Sequence, residues 1–237
     1  MFNKYSVLAI VPARGGSKRV LSKNKRLISG SPLISWTIQA CRDCKYIDRI
    51  VISTDDPDIA QISRDSGADL VLNRSAGLST DSSPVMDTVT QIITDLKAKG
   101  ESYDFVFLGQ PTSPLRTSAH IYSAFDLIKN NINASVVGVT ESGHPKEWQG
   151  PIEDDGKMQN FLQITRLDMS SNILPASYVI NGAIYISPTS TLLKERTFFP
   201  NENLNAFFMP RRDSIDIDTE FDFEIANYLL SEKRLTP

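Results

Sequence analysis

A basic segment near the start of the chain, residues 12–26, contains the residue types that bind phosphate. Residues 12–19 read PARGGSKR and residues 23–26 read KNKR, so that six cations lie between Arg14 and Arg26. Glycines allow the backbone to approach a ligand closely, and the exposed amides of such a loop suit phosphate oxygens. The segment matches neither the P-loop pattern nor the dinucleotide-binding pattern GxGxxG. It predicts a site for a phosphorylated small molecule, with a solvated surface loop as the alternative.

An acidic segment near the end of the chain, residues 213–220, contains the residue types that bind a hard cation; it reads DSIDIDTE. If Ile215 and Ile217 point into the core, the alternation of an extended chain places Asp216 and Asp218 together on the opposite side. Two adjacent carboxylates repel each other unless a cation lies between them, and Mg²⁺ prefers such oxygen ligands. The pattern therefore predicts a magnesium site.

Helix capping is the alternative interpretation of the acidic residues. Asp218 or Thr219 would cap a final helix well, and Glu220 would interact favourably with the helix dipole. The residues leave a metal site and a cap equally open at this position. Residues 53–56 read STDD and precede Pro57, and there we favour a helix cap.

A third polar segment, residues 109–116, reads GQPTSPLR and follows a strongly apolar run. Its two prolines stiffen the backbone, and Gln110, Thr112 and Ser113 offer the neutral hydrogen bonds that a sugar requires. A rigid turn without a ligand is the alternative. Together, the basic and acidic segments match the two halves of a nucleotidyl-transfer site, in which a metal holds phosphate oxygens and cations stabilise the departing pyrophosphate.

The elements that must position these segments follow from the apolar patterns, which predict an alternation of strands and helices. The predicted strands are residues 6–11, 49–53, 69–72, 103–108, 134–140, 182–187 and 206–209. The predicted helices are residues 32–44, 57–66, 84–99, 117–130, 189–194 and 219–231. This order predicts an α/β fold with a doubly wound, mostly parallel sheet and helices on both faces.

Two features of this pattern bear on function. In open α/β sheets, ligands bind at the carboxyl ends of the strands, which is where the basic segment and residues 109–116 are expected. The alternation stops over residues 141–178, a polar stretch with several glycines and prolines. So long an irregular stretch indicates a functional or interface element.

The composition limits the class of protein. Of 237 residues, 41% are hydrophobic and 22% charged, and the net charge is −3, which excludes a disordered chain and argues against general nucleic-acid binding. No apolar run is long enough to span a membrane, and the run at residues 7–11 continues into the basic segment without a cleavage pattern. We predict a cytoplasmic protein without nucleic-acid or membrane partners. Cys41 and Cys44 have no further metal ligands near them in sequence, so we favour core packing.

Several motifs in order carry a family resemblance. They are residues 13–18 (ARGGSK) with Lys23 and Asn24, residues 53–55 (STD), residues 110–116, residues 181–185 (NGAIY) and residues 213–218. The chain resembles the acylneuraminate cytidylyltransferases, the CMP-sialic acid synthetases, over nearly its whole length. The resemblance implies transfer of CMP from CTP to the anomeric hydroxyl of a nonulosonic acid, with Mg²⁺ as cofactor. It also implies one cytidylyltransferase domain over residues 1–237, with an inserted dimerisation excursion at 141–180, and a homodimer.

The resemblance also implies residue roles. Arg14, Lys18 and Lys23 would hold the CTP phosphates and act in catalysis together with Asp218. The nucleotide would be bound by Ala13, Arg14, Gly15, Gly16, Ser17, Lys18, Lys23, Asn24, Arg74, Asp81 and Ser82. The sugar would be bound by Gln110, Thr112, Ser113 and Asn181. The metal would be bound by Asp216 and Asp218.

The chain departs from the family where the acidic sugar is bound. Many members carry an Arg ten residues before the Asn-Gly pair and another two residues before it, and these positions are Ser171 and Val179 here. Arg166 is a candidate substitute, and Lys146 lies one position away from a family Lys that reaches the neighbouring subunit. N-acetylneuraminate, legionaminate, pseudaminate and Kdo remain open as the sugar acid. A catalytically silent sugar-nucleotide-binding protein and a glycosyltransferase are the alternative functions.

Overall fold

The computed structural model describes residues 2–74, 84–164 and 174–235. The strands in chain order are β1 (Val7–Pro12), β2 (Leu27–Ile28), β3 (Ser31–Pro32), β4 (Arg49–Thr54), β5 (Leu70–Asn73), β6 (Phe105–Leu108), β7 (Ser135–Glu141), β8 (Tyr178–Pro188) and β9 (Leu204–Phe208). The α-helices are α1 (Leu33–Arg42), α2 (Pro57–Asp65), α3 (Val85–Ala98), α4 (Ser118–Asp126), α5 (Gln159–Ile164), α6 (Thr189–Glu195) and α7 (Glu220–Leu235).

In the part of the chain so described, seven strands form one sheet in the order β5-β4-β1-β6-β8-β7-β9. The first four run parallel to one another, and β7 is parallel to β9. The prediction of a mostly parallel sheet is confirmed. β8 is antiparallel to both of its neighbours, which the strand pattern alone does not reveal.

The direction of β8 follows from where the irregular stretch leaves and rejoins the sheet. Glu141, at the end of β7, pairs with Tyr178, at the start of β8. The chain therefore leaves β7 and enters β8 at the same end of these two strands, so β8 runs antiparallel to β7. β8 is also longer at its start than the predicted strand at residues 182–187, because its first residues pair with the end of β7.

Helices cover both faces of the sheet, as predicted. Val7, Ala9 and Val11 of β1 pack with residues of α1, α2 and α4, whereas Leu8 and Ile10 pack with residues of α3 and α6 on the other face. This alternation is the period of two that places successive strand residues on opposite faces.

The core packing of the two cysteines is confirmed. Cys41 and Cys44 are free thiols buried in the cluster that includes α1 and α2. Burial raises the pKa of the Cys41 thiol to about 12. The thiolate, which is the reactive form, is therefore strongly disfavoured.

A smaller apolar cluster joins the basic segment to the acidic segment. Ile217 of the acidic segment packs with Val20 of the basic segment, with Ile28 of β2 and with Phe223 and Leu230 of α7. The strands β2 and β3 form a short hairpin that the apolar pattern did not predict. The contact of β2 with α7 brings the basic segment close to the acidic segment, which directly precedes α7. No helix in the described ranges is both long and apolar enough to cross a membrane.

Candidate active site

The basic and acidic segments line one cleft of about 310 Å³. It lies beyond the carboxyl ends of β1 and β6, where the doubly wound fold predicts a ligand site. Its lining residues are Pro12, Arg14, Ser17, Lys18, Arg19, Val20, Lys23, Asn24, Arg74, Val85, Gln110, Pro111, Thr112, Asp216 and Asp218. The two segments are about 200 positions apart in sequence, so their meeting is a property of the fold.

Hydrogen bonds between backbone groups and side chains fix the shape of the basic segment. The Gly15 amide donates to Asp55 Oδ1 at 2.8 Å, and Asn24 Nδ2 donates to the Arg14 carbonyl at 2.9 Å. A side chain at Gly15 would place its Cβ 2.8 Å from the Cβ of Asp56. Glycine is therefore required where the loop passes the end of β4.

The cap predicted at residues 53–56 is present. Asp56 accepts hydrogen bonds from the amides of Asp58 and Ile59 at the start of α2. Its neighbour Asp55 has the different task of holding the Gly15 amide. Residues 53–56 therefore support both a helix and the basic segment beside it.

The acidic segment enters the cleft in the orientation that alternation predicts. Ile217 is fully buried, and its amide donates to the Thr112 carbonyl at 2.8 Å. The Lys23 ammonium donates to the Ile217 carbonyl. With Ile217 fixed between two other segments, Asp216 and Asp218 are left on the cleft surface.

Gly182 allows Gln110, a predicted sugar ligand, to lie close to Asp216 of the acidic segment. Its φ is +73°, and a Cβ there would lie 2.9 Å from Asp216 Oδ2 and 3.1 Å from Gln110 Oε1. Glycine is the residue that tolerates both this backbone conformation and this close approach. Three parts of the chain, at Gln110, Gly182 and Asp216, therefore meet at one point.

The structure distinguishes the two residues that competed for the helix cap. The Thr219 hydroxyl accepts from the amide of Asp222 at 3.2 Å, and Asp222 Oδ2 accepts from the Thr219 amide at 2.8 Å. This reciprocal pair is a capping box at the start of α7. Thr219 is therefore the cap, and the Asp218 carboxylate faces the cleft.

Burial and neighbouring charges shift the pKa values of two groups in the cleft. Burial raises the pKa of Asp216 above its usual range, the nearby Asp218 adds to the rise, and a hydrogen bond with Thr112 opposes it. Burial lowers the pKa of the Lys23 ammonium, whereas Asp218 and Asp216 oppose that shift. Both shifts have the same main cause, the partial loss of hydration of a charged group at the cleft.

Ion pairs join the basic segment to the region of α7. Arg19 Nη1 lies 3.2 Å from Asp218 Oδ2, and Lys23 Nζ lies 3.9 Å from Asp218 Oδ1. Arg26 Nη1 donates to Glu220 Oε1 at 2.7 Å, and its guanidinium lies 4.2 Å from the centre of the Phe223 ring. These contacts hold the basic segment against the acidic segment and the start of α7.

A buried arginine holds the other side of the cleft. Arg116 is 2% exposed, and its guanidinium donates to the carbonyls of Gln110 at 3.2 Å and Ala183 at 3.0 Å. It also donates to the Thr37 hydroxyl at 2.6 Å. Burial lowers the pKa of Arg116 to about 10. The arginine therefore ties residues 109–116 to β8 from beneath the cleft.

Most of the sequence-predicted site residues lie in or beside the cleft. Those that line it are Arg14, Ser17, Lys18, Lys23, Asn24, Arg74, Gln110, Thr112, Asp216 and Asp218. Ala13, Gly15 and Gly16 belong to the same loop, with the Ala13 side chain fully buried. Asp81 and Ser82, like Ser171 and Arg166, lie outside the described residues.

Two predicted sugar ligands lie behind the cleft surface. Ser113 has no solvent exposure and Asn181 is 3% exposed. The Asn181 amide nitrogen donates to Ser214 Oγ at 3.0 Å, and its oxygen accepts from the Ala183 amide at 3.1 Å. In this conformation Asn181 supports the residues around Gly182, and direct contact of Asn181 or Ser113 with a sugar would require a local rearrangement.

Sequence reasoning missed three residues of this site. Arg19 was counted within the basic segment but was given no role, although it lines the cleft. Asp55 was interpreted within a capping pattern, and no local signal points to its bond with Gly15. Arg116 stands at the end of a quoted motif, but arginine is rarely buried, so its type gave no indication of a structural role.

The donor set in the cleft fits a magnesium ion that is shared with a substrate. In the described ranges, no group of three or more His, Cys, Asp or Glu residues is arranged to hold a metal. Asp216 and Asp218 supply two carboxylates. Mg²⁺ commonly takes one or two protein carboxylates and completes its shell with water and substrate phosphates. The residues therefore fit a metal that binds together with a nucleotide.

Solved structures show what class of fold this is. The structure is similar to a CMP-2-keto-3-deoxy-manno-octonic acid synthetase complexed with CTP, with a TM-score of 0.69, 14% identity, and coverage of 96% of this chain and 99% of that one. It is also similar to 4-diphosphocytidyl-2C-methyl-D-erythritol synthase from Anaerococcus prevotii, with a TM-score of 0.66, 16% identity and coverage of 97% of each chain. The fold is that of the α/β nucleotidyltransferases.

Sequence comparison gives the family. The chain belongs to the cytidylyltransferase family, whose sequence profile matches residues 8–203. It is 34% identical to CMP-N,N'-diacetyllegionaminic acid synthase of Legionella pneumophila over 94% of this chain and 96% of that protein. It is 32% identical to the N-acylneuraminate cytidylyltransferase of Escherichia coli over 96% of this chain, which spans about half (52%) of that protein. A pseudaminic acid cytidylyltransferase of Campylobacter jejuni is 29% identical over 94% of this chain and 95% of that protein.

Proposed function

We propose that this protein transfers CMP from CTP to the anomeric hydroxyl of a nonulosonic acid and releases pyrophosphate. One observation carries the proposal: the cations of residues 14–23 and the carboxylates Asp216 and Asp218 line the same cleft. Membership of the cytidylyltransferase family supports the nucleotide. The relatives named for legionaminic, acylneuraminic and pseudaminic acids support the class of sugar.

Arg14, Lys18 and Lys23 would hold the triphosphate. A guanidinium can bind phosphate oxygens in a fork, whereas ammonium groups act as point charges. These cations would stabilise the charge that develops on the departing pyrophosphate, which is a large electrostatic contribution to the rate. Asn24 would contact the ribose, and Arg74 would lie near the cytidine.

The sugar would bind on the side of Gln110 and Thr112, beside Gly182. The sugar hydroxyl would attack the α-phosphorus in line with the leaving pyrophosphate, without a covalent enzyme intermediate. The close meeting of Gln110, Gly182 and Asp216 supports this placement, because it sets the sugar side of the cleft next to the proposed metal ligands.

Asp216 and Asp218 would hold Mg²⁺. When bound, the ion would lower the pKa of the attacking hydroxyl and stabilise charge on phosphate oxygens. The protein's own part is to keep both carboxylates on the cleft surface, which the buried Ile217 between them does.

A pyrophosphate-release assay tests this function. CTP and Mg²⁺ would be supplied with N-acetylneuraminate, N,N'-diacetyllegionaminate, pseudaminate or Kdo in parallel, and product analysis would identify any CMP-sugar. We expect turnover with at least one nonulosonic acid. CTP binding without product from any of these acids would instead indicate a silent binding protein, and consumption of a CMP-sugar would indicate a glycosyltransferase.

Asp218→Asn tests the metal role within the same assay. Loss of a metal-ligating carboxylate should lower kcat by about 10³-fold or more, equivalent to several kcal/mol in the barrier. Asp65→Asn, which changes an exposed carboxylate on α2 outside the cleft, is the matched control and should retain full activity. Near-normal turnover of Asp218→Asn would remove the metal role.

We also propose that two copies of the chain associate next to residues 141–180, at the end of the sheet where β8 begins and where β7 and β9 end. Tyr178, Val179 and Ile180 at the start of β8 and Phe208 at the end of β9 are between 45% and 61% exposed. The rings of Tyr178 and Phe208 lie in edge contact, with centroids 5.1 Å apart. An apolar patch of this kind favours a protein interface.

Sedimentation of Phe208→Glu tests the dimer. A charge within the patch should convert a dimer to a monomer, because burying it without a partner is costly. Tyr228→Glu, at an equally exposed aromatic on α7 away from this end of the sheet, should leave the dimer intact. A wild-type monomer, or a Phe208→Glu dimer of unchanged affinity, would contradict the proposal.

A further inference from the structure

The carboxylate proposed to hold the metal already has a cationic partner from the protein. Arg19 Nη1 lies 3.2 Å from Asp218 Oδ2, and both groups line the cleft. The side chains are 72% and 52% exposed, respectively. An ion pair with this much solvent access is weak and easily exchanged.

Lys23 contacts the same carboxylate in a different way. Its ammonium donates to the Ile217 carbonyl and lies 3.9 Å from Asp218 Oδ1, and its side chain is 14% exposed. Lys23 is therefore anchored by the backbone of the acidic segment. Arg19 is the partner that can leave.

We propose that Arg19 is the resident counter-ion of Asp218 in the nucleotide-free protein, and that it exchanges this carboxylate for the CTP phosphates when nucleotide and metal bind. The proposal rests on the proposed function and assigns to Arg19 a role in the order of binding. A metal ion without nucleotide would have to displace Arg19 from Asp218, whereas CTP offers Arg19 a new anionic partner.

The charges of the cleft favour this order. Its described lining has five cations, Arg14, Lys18, Arg19, Lys23 and Arg74, against the two carboxylates Asp216 and Asp218. A divalent cation that enters alone meets an excess of positive charge. A triphosphate reverses that excess, and phosphate oxygens suit the planar guanidinium of Arg19 as well as a carboxylate does.

Metal binding to the nucleotide-free protein tests this exchange. Mn²⁺, as a paramagnetic substitute for Mg²⁺, would be titrated into wild type and Arg19→Gln and followed by electron paramagnetic resonance. Removal of the counter-ion should tighten Mn²⁺ binding by about two- to five-fold, the range of an exposed ion pair. The same change should weaken the binding of Mn²⁺–CTP, because Arg19 then has no charge to offer the phosphates.

A double-mutant cycle separates the ion pair from a general loss of positive charge. In the Asp218→Asn background, Arg19→Gln should give a smaller gain in Mn²⁺ affinity, since the pair is already absent and only the general loss of positive charge acts. An equal gain in both backgrounds would overturn the proposal, as would no gain in the wild-type background, including binding too weak to detect in either protein. The titration does not depend on turnover, so a protein inactive with every sugar would contradict the proposed function and leave this result interpretable.

Discussion

The two sides of the cleft hold their arginines in opposite ways. On the proposed sugar side, Arg116 is 2% exposed and donates to two backbone carbonyls and the Thr37 hydroxyl. On the proposed phosphate side, the Arg19 side chain is 72% exposed and pairs with the Asp218 carboxylate, the proposed metal ligand. Arg116 therefore stabilises the site, whereas Arg19 is the residue that we propose changes partner when a ligand binds.

The two arginines differ in whether another group can replace them when a ligand binds. The hydrogen bond from Arg116 to the Ala183 carbonyl is buried, so water cannot take the place of the arginine there. The Gln110 carbonyl also accepts from the Thr37 hydroxyl and the Ser113 amide. Asp218 and Arg19 stand at the cleft surface, where water, metal and phosphate are all alternative partners. A nucleotidyl-transfer site needs both arrangements, because the sugar must be oriented while the phosphate contacts form and break in each turnover.

Arg116→Met gives the largest expected loss of stability and tests the structural half of this comparison. It removes the Arg116 donor from the buried Ala183 carbonyl, at a cost of about 1–3 kcal/mol, and the relief of burying a charge offsets part of this. The Gln110 carbonyl keeps the Thr37 hydroxyl and the Ser113 amide as donors. We expect the free energy of unfolding to fall by about 1–3 kcal/mol, measured by urea denaturation.

Two companion variants keep this prediction decisive. Arg116→Lys retains the charge but not the fork of donors, so it should recover only part of the lost stability. Arg19→Gln should change the free energy of unfolding by no more than about 0.5 kcal/mol, as is usual for exposed positions. Equal losses at Arg116 and Arg19 would break the contrast between the two sides of the cleft.

Sequence patterns predicted the seven strands of the main sheet and six of the described helices, because strand and helix periods are local properties. They did not predict the hairpin of β2 and β3 or the helix α5. They also placed the basic segment and residues 109–116 correctly, since ligand-binding loops follow the carboxyl ends of parallel strands. The antiparallel direction of β8 was not predictable in this way. It depends on the pairing of Glu141 with Tyr178 across a stretch that has no regular period.

The site itself was predictable in its residue types and less so in its contacts. Cations and carboxylates identify a phosphate and metal chemistry, but the pairing of Arg19 with Asp218 is a tertiary contact between segments about 200 positions apart. Arg116 shows the opposite limit, because a charged residue type does not predict burial. The cap at Thr219 had a local signal in Asp222, three residues further on, which is the spacing of a capping box.

Thr219→Ala compares a structural residue, Thr219, with the proposed functional residue Asp218 beside it in sequence. Thr219 caps α7, whereas its neighbour Asp218 faces the cleft. Loss of the cap should lower the free energy of unfolding by about 1 kcal/mol and leave kcat within about two-fold of wild type. Asp218→Asn should do the reverse, with a large loss of kcat and little change in unfolding. Urea denaturation and pyrophosphate release would be measured on Thr219→Ala, Asp218→Asn and Asp218→Ala, because asparagine still caps a helix and only alanine removes a capping side chain. A cap role for Asp218 would make Asp218→Ala as destabilising as Thr219→Ala.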